Sequence, residues 1–137
     1  MAFGIRRADY FYTTLREEPG AAHRLLSQLA GLGVNLLAFS AVPVGPGRVQ
    51  LAIFPEDTSK LLAAARAAQL PLDGPHPALL VQGDDELGAL ANVHERLAAA
   101  GVDVYASSGV TDGRGSFGYI VYVREDQIES AAGALGV

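Results

Sequence analysis

The chain repeats itself, and the repeat is a frame that any fold of it must satisfy. "EPGAAHRLLSQLAGLGVNLLAFSAVPVGPG" lies over "ELGALANVHERLAAAGVDVYASSGVTDGRG" at a constant offset of 68, from Gly20 to Gly88. Ala21 meets Ala89, Leu29 meets Leu97, and Ala30 meets Ala98. Gly33-Val34 meets Gly101-Val102, and Gly45-Pro46-Gly47 meets Gly113-Arg114-Gly115. Further on, Pro55–Asp57 meet Arg124–Asp126 one residue out of step. Single Ala and Gly matches are cheap in this chain. A constant offset across acidic, helical and turn segments is not, and it implies two copies of one supersecondary unit.

Each half reads alike. A strand comes first, "DYFYTTL" (Asp9–Leu15) or "ALLVQ" (Ala78–Gln82), and acidic residues follow it. Ala22, Leu25, Leu26 and Leu29 then fall at helical spacing, as do Leu90, Val93 and Leu97. Gly33 and Gly101 stop these helices in the manner of a left-handed terminal residue. A second strand, a Gly-rich turn and a third strand follow. Second helices are expected near Asp57 and Asp126, with Leu61, Leu62 and Ala65, or Ile128, Ala131, Ala132 and Leu135, turned inward. The order predicts an α+β fold: two tandem ferredoxin-like plaits (βαββαβ), antiparallel sheets with helices on one face. The prolines of "PLDGPHP" (Pro71–Pro77) mark the boundary, giving halves at 1–72 and 73–137. After Val137 no residues remain for a full last strand of the second half, so an open sheet edge is expected there, to be covered by another segment or chain.

At this point the pattern resembles a tandem pair of ACT domains, small amino-acid-binding regulatory modules. The likeness rests on "EEPGAAHRLLSQLAGLGVNL", with its Pro19-Gly20 turn and Gly33-Val34-Asn35-Leu36, and on "DDELGALANVHERLAAAGVDV". The second half carries Leu87 in place of the Pro and Asp103 in place of the Asn. The resemblance implies a non-enzymatic protein that binds a free amino acid at an interface between such domains, in a pocket formed by the turn after the first strand and the start of the second. The matching positions are Glu17, Gly20, Ala21 and Asn35, and then Asp85, Gly88, Ala89 and Asp103. Physical chemistry agrees independently. A helix N-terminus offers N–H groups to a carboxylate, glycine lets backbone approach a ligand, and an Asn or carboxylate oxygen can accept from an ammonium group. The same acidic residues also suit a helix's first turn through its macrodipole, and Asn35 also tolerates an unusual backbone beyond Gly33.

Other chemistry finds little support. The absence of cysteine excludes disulfides and thiolate metal sites. His23, His76 and His94 show no metal-ligand spacing and read as solvated or rim residues. Ser107-Ser108 lie in no nucleophile elbow. No cofactor and no metal is expected. "MAFGIRRADY" has no apolar core of leader length, no run is long enough to span a bilayer, and a cytoplasmic location is expected.

"GSFGYIVY" (Gly115–Tyr122) resembles the aromatic octamer of RNA-recognition domains, which would stack bases on Phe117 and Tyr119. A net charge of -5, from 10 Lys plus Arg against 15 Asp plus Glu, argues against a nucleic-acid partner. The repeat argues further, because Val49 and Leu51 occupy the equivalent positions. Apolarity is what the two pairs share. Phe117, Tyr119, Val49 and Leu51 are therefore expected on the sheet's open face as an interface, most simply of a homodimer. Two alternatives stand beside the amino-acid sensor: a regulatory subunit that binds a metabolic enzyme without a ligand of its own, and an RNA-binding module.

Overall fold

Helices of about three turns are marginal in water alone and persist by burying one face. The four α-helices among the described residues, three of 11 residues and one of 8, are no longer than that. The structure, a computed structural model, describes residues 3–137. Met1 and Ala2, counted above in the N-terminus and in the first half, lie outside the described residues.

The elements run β1 (Phe3–Arg16), α1 (Ala21–Gly31), β2 (Leu36–Pro43), β3 (Arg48–Pro55), α2 (Thr58–Ala68), β4 (Asp73–Asp84), α3 (Ala89–Ala99), β5 (Val104–Thr111), β6 (Ser116–Val123) and α4 (Ile128–Leu135). A 3-10 turn at Glu125–Gln127 precedes α4. Gly33 and Gly101 take positive φ, 81° and 71°, just beyond α1 and α3, as a left-handed stop requires. Asp57 starts α2 by accepting a hydrogen bond from the Lys60 N–H at 3.2 Å.

The chain divides into two compact units, each a plait. The first runs from Asp9 to His76; the second takes Pro77–Val137 together with the start of the chain up to Ala8. In the first unit the strands lie in the order β2-β3-β1-β4. Phe11 pairs with Ile53 across β1 and β3, and Phe39 pairs with Ile53 across β2 and β3, both pairings antiparallel. Leu25, Leu29, Leu61 and Ala64 of its helices close on Phe11, Leu51 and Ile53. In the second unit the order is β1-β4-β6-β5, and Val93, Leu97, Ala131 and Leu135 close on Leu79, Val81 and Val121.

Three expectations are corrected here. The division expected at 1–72 and 73–137 falls instead at His76 and Pro77, and the residues before Asp9 belong with the second unit. Its last strand comes from the other end of the chain. The first part of β1 lies beside β4, Ile5 packs against the second core, and Arg7 holds Glu129 of α4 through two bonds of 2.8 Å. That fork of hydrogen bonds keeps the Glu129 carboxyl below the usual carboxylate range and raises Arg7.

Second, the proline-rich stretch is strand from Asp73 onward, not a break between the halves. β4 starts at Asp73 and supplies the fourth strand of the first unit before it enters the second. Gly74 makes this approach feasible. Its φ is 147°, and a Cβ there would stand 2.9 Å from both Phe11 Cδ2 and Tyr10 O.

Third, Phe117, Tyr119, Val49 and Leu51 do not lie on the open face. They sit beneath the helices, the first two in the second core and the last two in or against the first. Strand parity is the reason. The side of β6 carrying Phe117 and Tyr119 also carries Val121 and Val123 of the core, so Ile120 and Tyr122 take the other side. Rings packed under helices are not a platform for bases.

Candidate functional site

Both units build the same acidic turn. The Glu17 N–H donates to the Gly47 carbonyl at 2.8 Å, and the Asp85 N–H donates to the Gly115 carbonyl at 2.8 Å. Each bond ties the end of the unit's first strand to its own hairpin. The chain then enters the helix through a left-handed glycine, Gly20 at φ 85° or Gly88 at φ 82°, and no side chain of the described residues caps either helix. The Ala21 and Ala89 N–H groups are taken by the Glu18 and Glu86 carbonyls, at 3.3 and 3.1 Å. The following N–H groups, of Ala22 and His23 or Leu90 and Ala91, lie in the first helical turn, where geometry leaves donors without an intrahelical acceptor.

In the second unit this turn borders a cavity of about 750 Å³. Asp85, Glu86 and Gly88 form its polar rim, and Ala89 and Ala91 line it from the helix. The wall opposite is Gly109, Val110, Phe117 and Gly118 of the β5–β6 hairpin. Leu87 is fully exposed and Val110 is 73% exposed, both at the cavity. The site therefore offers helix-start donors, two carboxylates and an apolar wall, without a Lys, Arg or His in its lining. That set matches a zwitterion with an apolar substituent: carboxylate to the helix, ammonium to the acids, side chain to the wall.

The first unit differs at the same place. Arg24 Nη2 pairs with Glu18 Oε1 at 2.6 Å, and Arg24 Nη1 lies 3.2 Å from where a Cβ of Gly20 would be. A guanidinium thus covers the start of α1. The hollow beside it measures about 230 Å³ and includes Arg16, Glu18, Ala21 and Arg24 in its lining.

Of the residues expected at the site, Asp85, Gly88 and Ala89 meet at the larger cavity and Ala21 at the smaller. Glu17 and Gly20 lie in the matching turn without lining it. Asn35 and Asp103 are elsewhere, past the far ends of α1 and α3, about 16 Å of helix away from the turn. Asn35 Nδ2 donates to Glu56 Oε2 at 2.9 Å, and the Asp103 N–H donates to Gln127 Oε1 at 3.1 Å. Both join the second strand to the start of the second helix, a structural duty.

Two of the three histidines are more engaged than solvated residues would be. His94 is half-buried, with Nε2 2.6 Å from the Tyr119 hydroxyl. His76 lies on β4, with Nε2 3.3 Å from Asp73 and its ring 5.4 Å from those of Tyr10 and Tyr12. His23 is exposed, as are Ser107 and Ser108 on β5. Among the described residues, no group of three His, Asp or Glu could hold a metal ion, and no helix is long and apolar enough to cross a membrane.

Gly109 went unnoticed in the sequence. It stands opposite Tyr119 in the ladder, and a Cβ on it would lie 2.7 Å from the ring. The repeat contained the clue. The Leu26, Ala41 and Leu51 of the first half become His94, Gly109 and Tyr119 in the second. A larger strand residue arrives together with a smaller neighbour and a polar partner.

No protein-family model matches this sequence, and no curated protein matches it. Solved structures do. A protein from Bacteroides thetaiotaomicron superposes with a TM-score of 0.81 at 17% identity, covering 96% of this chain and 88% of its own. The ligand-free regulatory subunit of aspartate kinase from Thermus thermophilus gives 0.66 at 16% identity, covering 98% and 94%. A structure of aspartokinase alpha and beta subunits gives 0.64 at 14% identity, covering 100% and 99%. At these identities the likeness establishes the fold.

Proposed function

We propose that this chain, which has the tandem ACT fold, is a non-enzymatic regulatory module that binds a free amino acid. The observation that carries this reading is the cavity at the start of α3, where helix N–H donors, the carboxylates of Asp85 and Glu86 and an apolar wall converge. Gly88 admits the ligand's carboxylate close to the backbone, and Asp85 takes its ammonium group. Glu17, Gly20 and Ala21 occupy the corresponding turn of the first unit. The regulatory subunit of aspartate kinase shares the fold, which supports a regulatory role. Occupancy would act by population shift: a ligand that prefers one arrangement of the module changes how it meets a homodimeric copy or a metabolic enzyme.

A thermal-shift series against the twenty amino acids tests the reading. A ligand at a hundred times its dissociation constant stabilises the folded state by about 2.7 kcal/mol, a readable rise in Tm. Asp85→Ala should abolish that rise. No shift with any amino acid would refute the function.

A further inference from the structure

We propose that one amino acid binds per chain, in the second unit alone, and that it carries an uncharged apolar side chain. This inference rests on the amino-acid reading of the cavity and says which ligand class the cavity takes, and why its twin does not.

The two helix starts are covered differently. In the first unit the Arg24 guanidinium, paired to Glu18, lies 3.2 Å from where a Cβ of Gly20 would be, whereas a Cβ on Gly88 would meet nothing within 4 Å. Gly109 lines the cavity without a side chain, where the first unit has Ala41. The first unit's other hollow, about 430 Å³ by Arg66, Gln69 and Leu72, lies at the end of α2 and borders no helix start.

Charge then sorts the ligands. The cavity lining holds two carboxylates and no cation, so an acidic side chain has no partner and faces repulsion from Asp85 and Glu86. The ammonium group common to every amino acid already occupies those acids. A lysine or arginine side chain would have to lie on Phe117, Val110 and Leu90, and so leave its charge on an apolar wall. Leucine and valine lose no polar contact on that surface.

Titration calorimetry of the full chain with leucine, valine, glutamate and lysine decides the matter. Leucine or valine should bind with one site per chain, and glutamate and lysine at least about tenfold more weakly. Ala91→Gln, on the exposed first turn of α3 at the cavity, should weaken binding by about tenfold or more at unchanged Tm. Gln50→Ala should leave binding as it is. Two sites per chain, equal affinity for glutamate or lysine, or full affinity in Ala91→Gln would overturn this inference and leave the amino-acid reading standing. If no amino acid binds at all, that reading fails and takes this one with it.

Discussion

The two units were cut to one pattern and finished differently. Their acidic turns are tied down by the same backbone bond, and their helices start on the same left-handed glycine. What differs is the furniture around the start of the helix. The first unit covers it with Arg24, paired to Glu18. The second has Asn92 and Glu86 at the matching positions, which leaves a cavity open at the start of its helix. Backbone geometry is held in common, and side chains at a few positions decide whether a shared turn is closed or receptive.

The sharpest way to break the comparison is at the fourth strand, which each unit obtains differently. Deleting residues 1–8 removes Ile5 and Arg7 from the second unit and leaves the first intact. We expect a loss on the order of 3 kcal/mol or more in the second unit, the scale of a lost buried segment. Hydrogen exchange should show α3 and α4 deprotected while α1 and α2 keep their protection; equal loss in both units would contradict the division.

A smaller effect separates the two fourth strands by their glycines. Gly74→Ala puts a Cβ into Phe11 and the Tyr10 carbonyl, and should cost about 2–3 kcal/mol by chemical denaturation. Gly4→Ala places its Cβ 3.8 Å from the Gln82 carbonyl, an ordinary contact, and should be near neutral.

Next comes the polar pair that only the second core has. Tyr119→Phe removes the hydroxyl from His94 and should cost about 1 kcal/mol. His94→Leu together with Tyr119→Leu restores the first unit's pairing and should lose less than the two single changes added. Additivity in that cycle would mean that the pair is not coupled.

The smallest effect concerns Arg7 and Glu129. The folded state holds the Glu129 carboxyl below its ordinary value, so the bridge contributes above the unfolded carboxylate range and is lost as pH falls through the lowered folded value. Both side chains are exposed, which keeps the gain small and sensitive to salt. A slight acid-side fall in Tm, absent in Glu129→Gln, is expected.

Much of this was legible. The offset, the stripes of Leu25 and Leu29 or Val93 and Leu97, and the stops at Gly33 and Gly101 are local signals, and they gave the plait. Three things were not. Phe3–Ala8 carry Arg6 and Arg7 and pair with a strand far along the chain, so nothing nearby marks them as strand. The prolines of 71–77 usually break structure, and nothing local shows that Gly74 sits against Tyr10 and Phe11 at a strand's start. The facing of β6 was ambiguous because both its sides are apolar, Phe117 and Tyr119 on one and Ile120 and Tyr122 on the other. At the site, the acidic turn and its glycine followed from the repeat. Asn35 and Asp103 misled because nearness to a helix in sequence hides which end of that helix a residue lies at.

The split of β1 between units has a consequence for the order of events during synthesis. The first unit is complete once His76 has been made, and it can close while the ribosome is still working. The segment before Asp9 cannot find its place then. Arg7 meets a partner 122 residues downstream, and the strands and helices that receive Ile5 are made after the whole first unit. The segment before Asp9 therefore waits for α4, and the second unit, which carries the proposed binding cavity, closes only after the first can have done so.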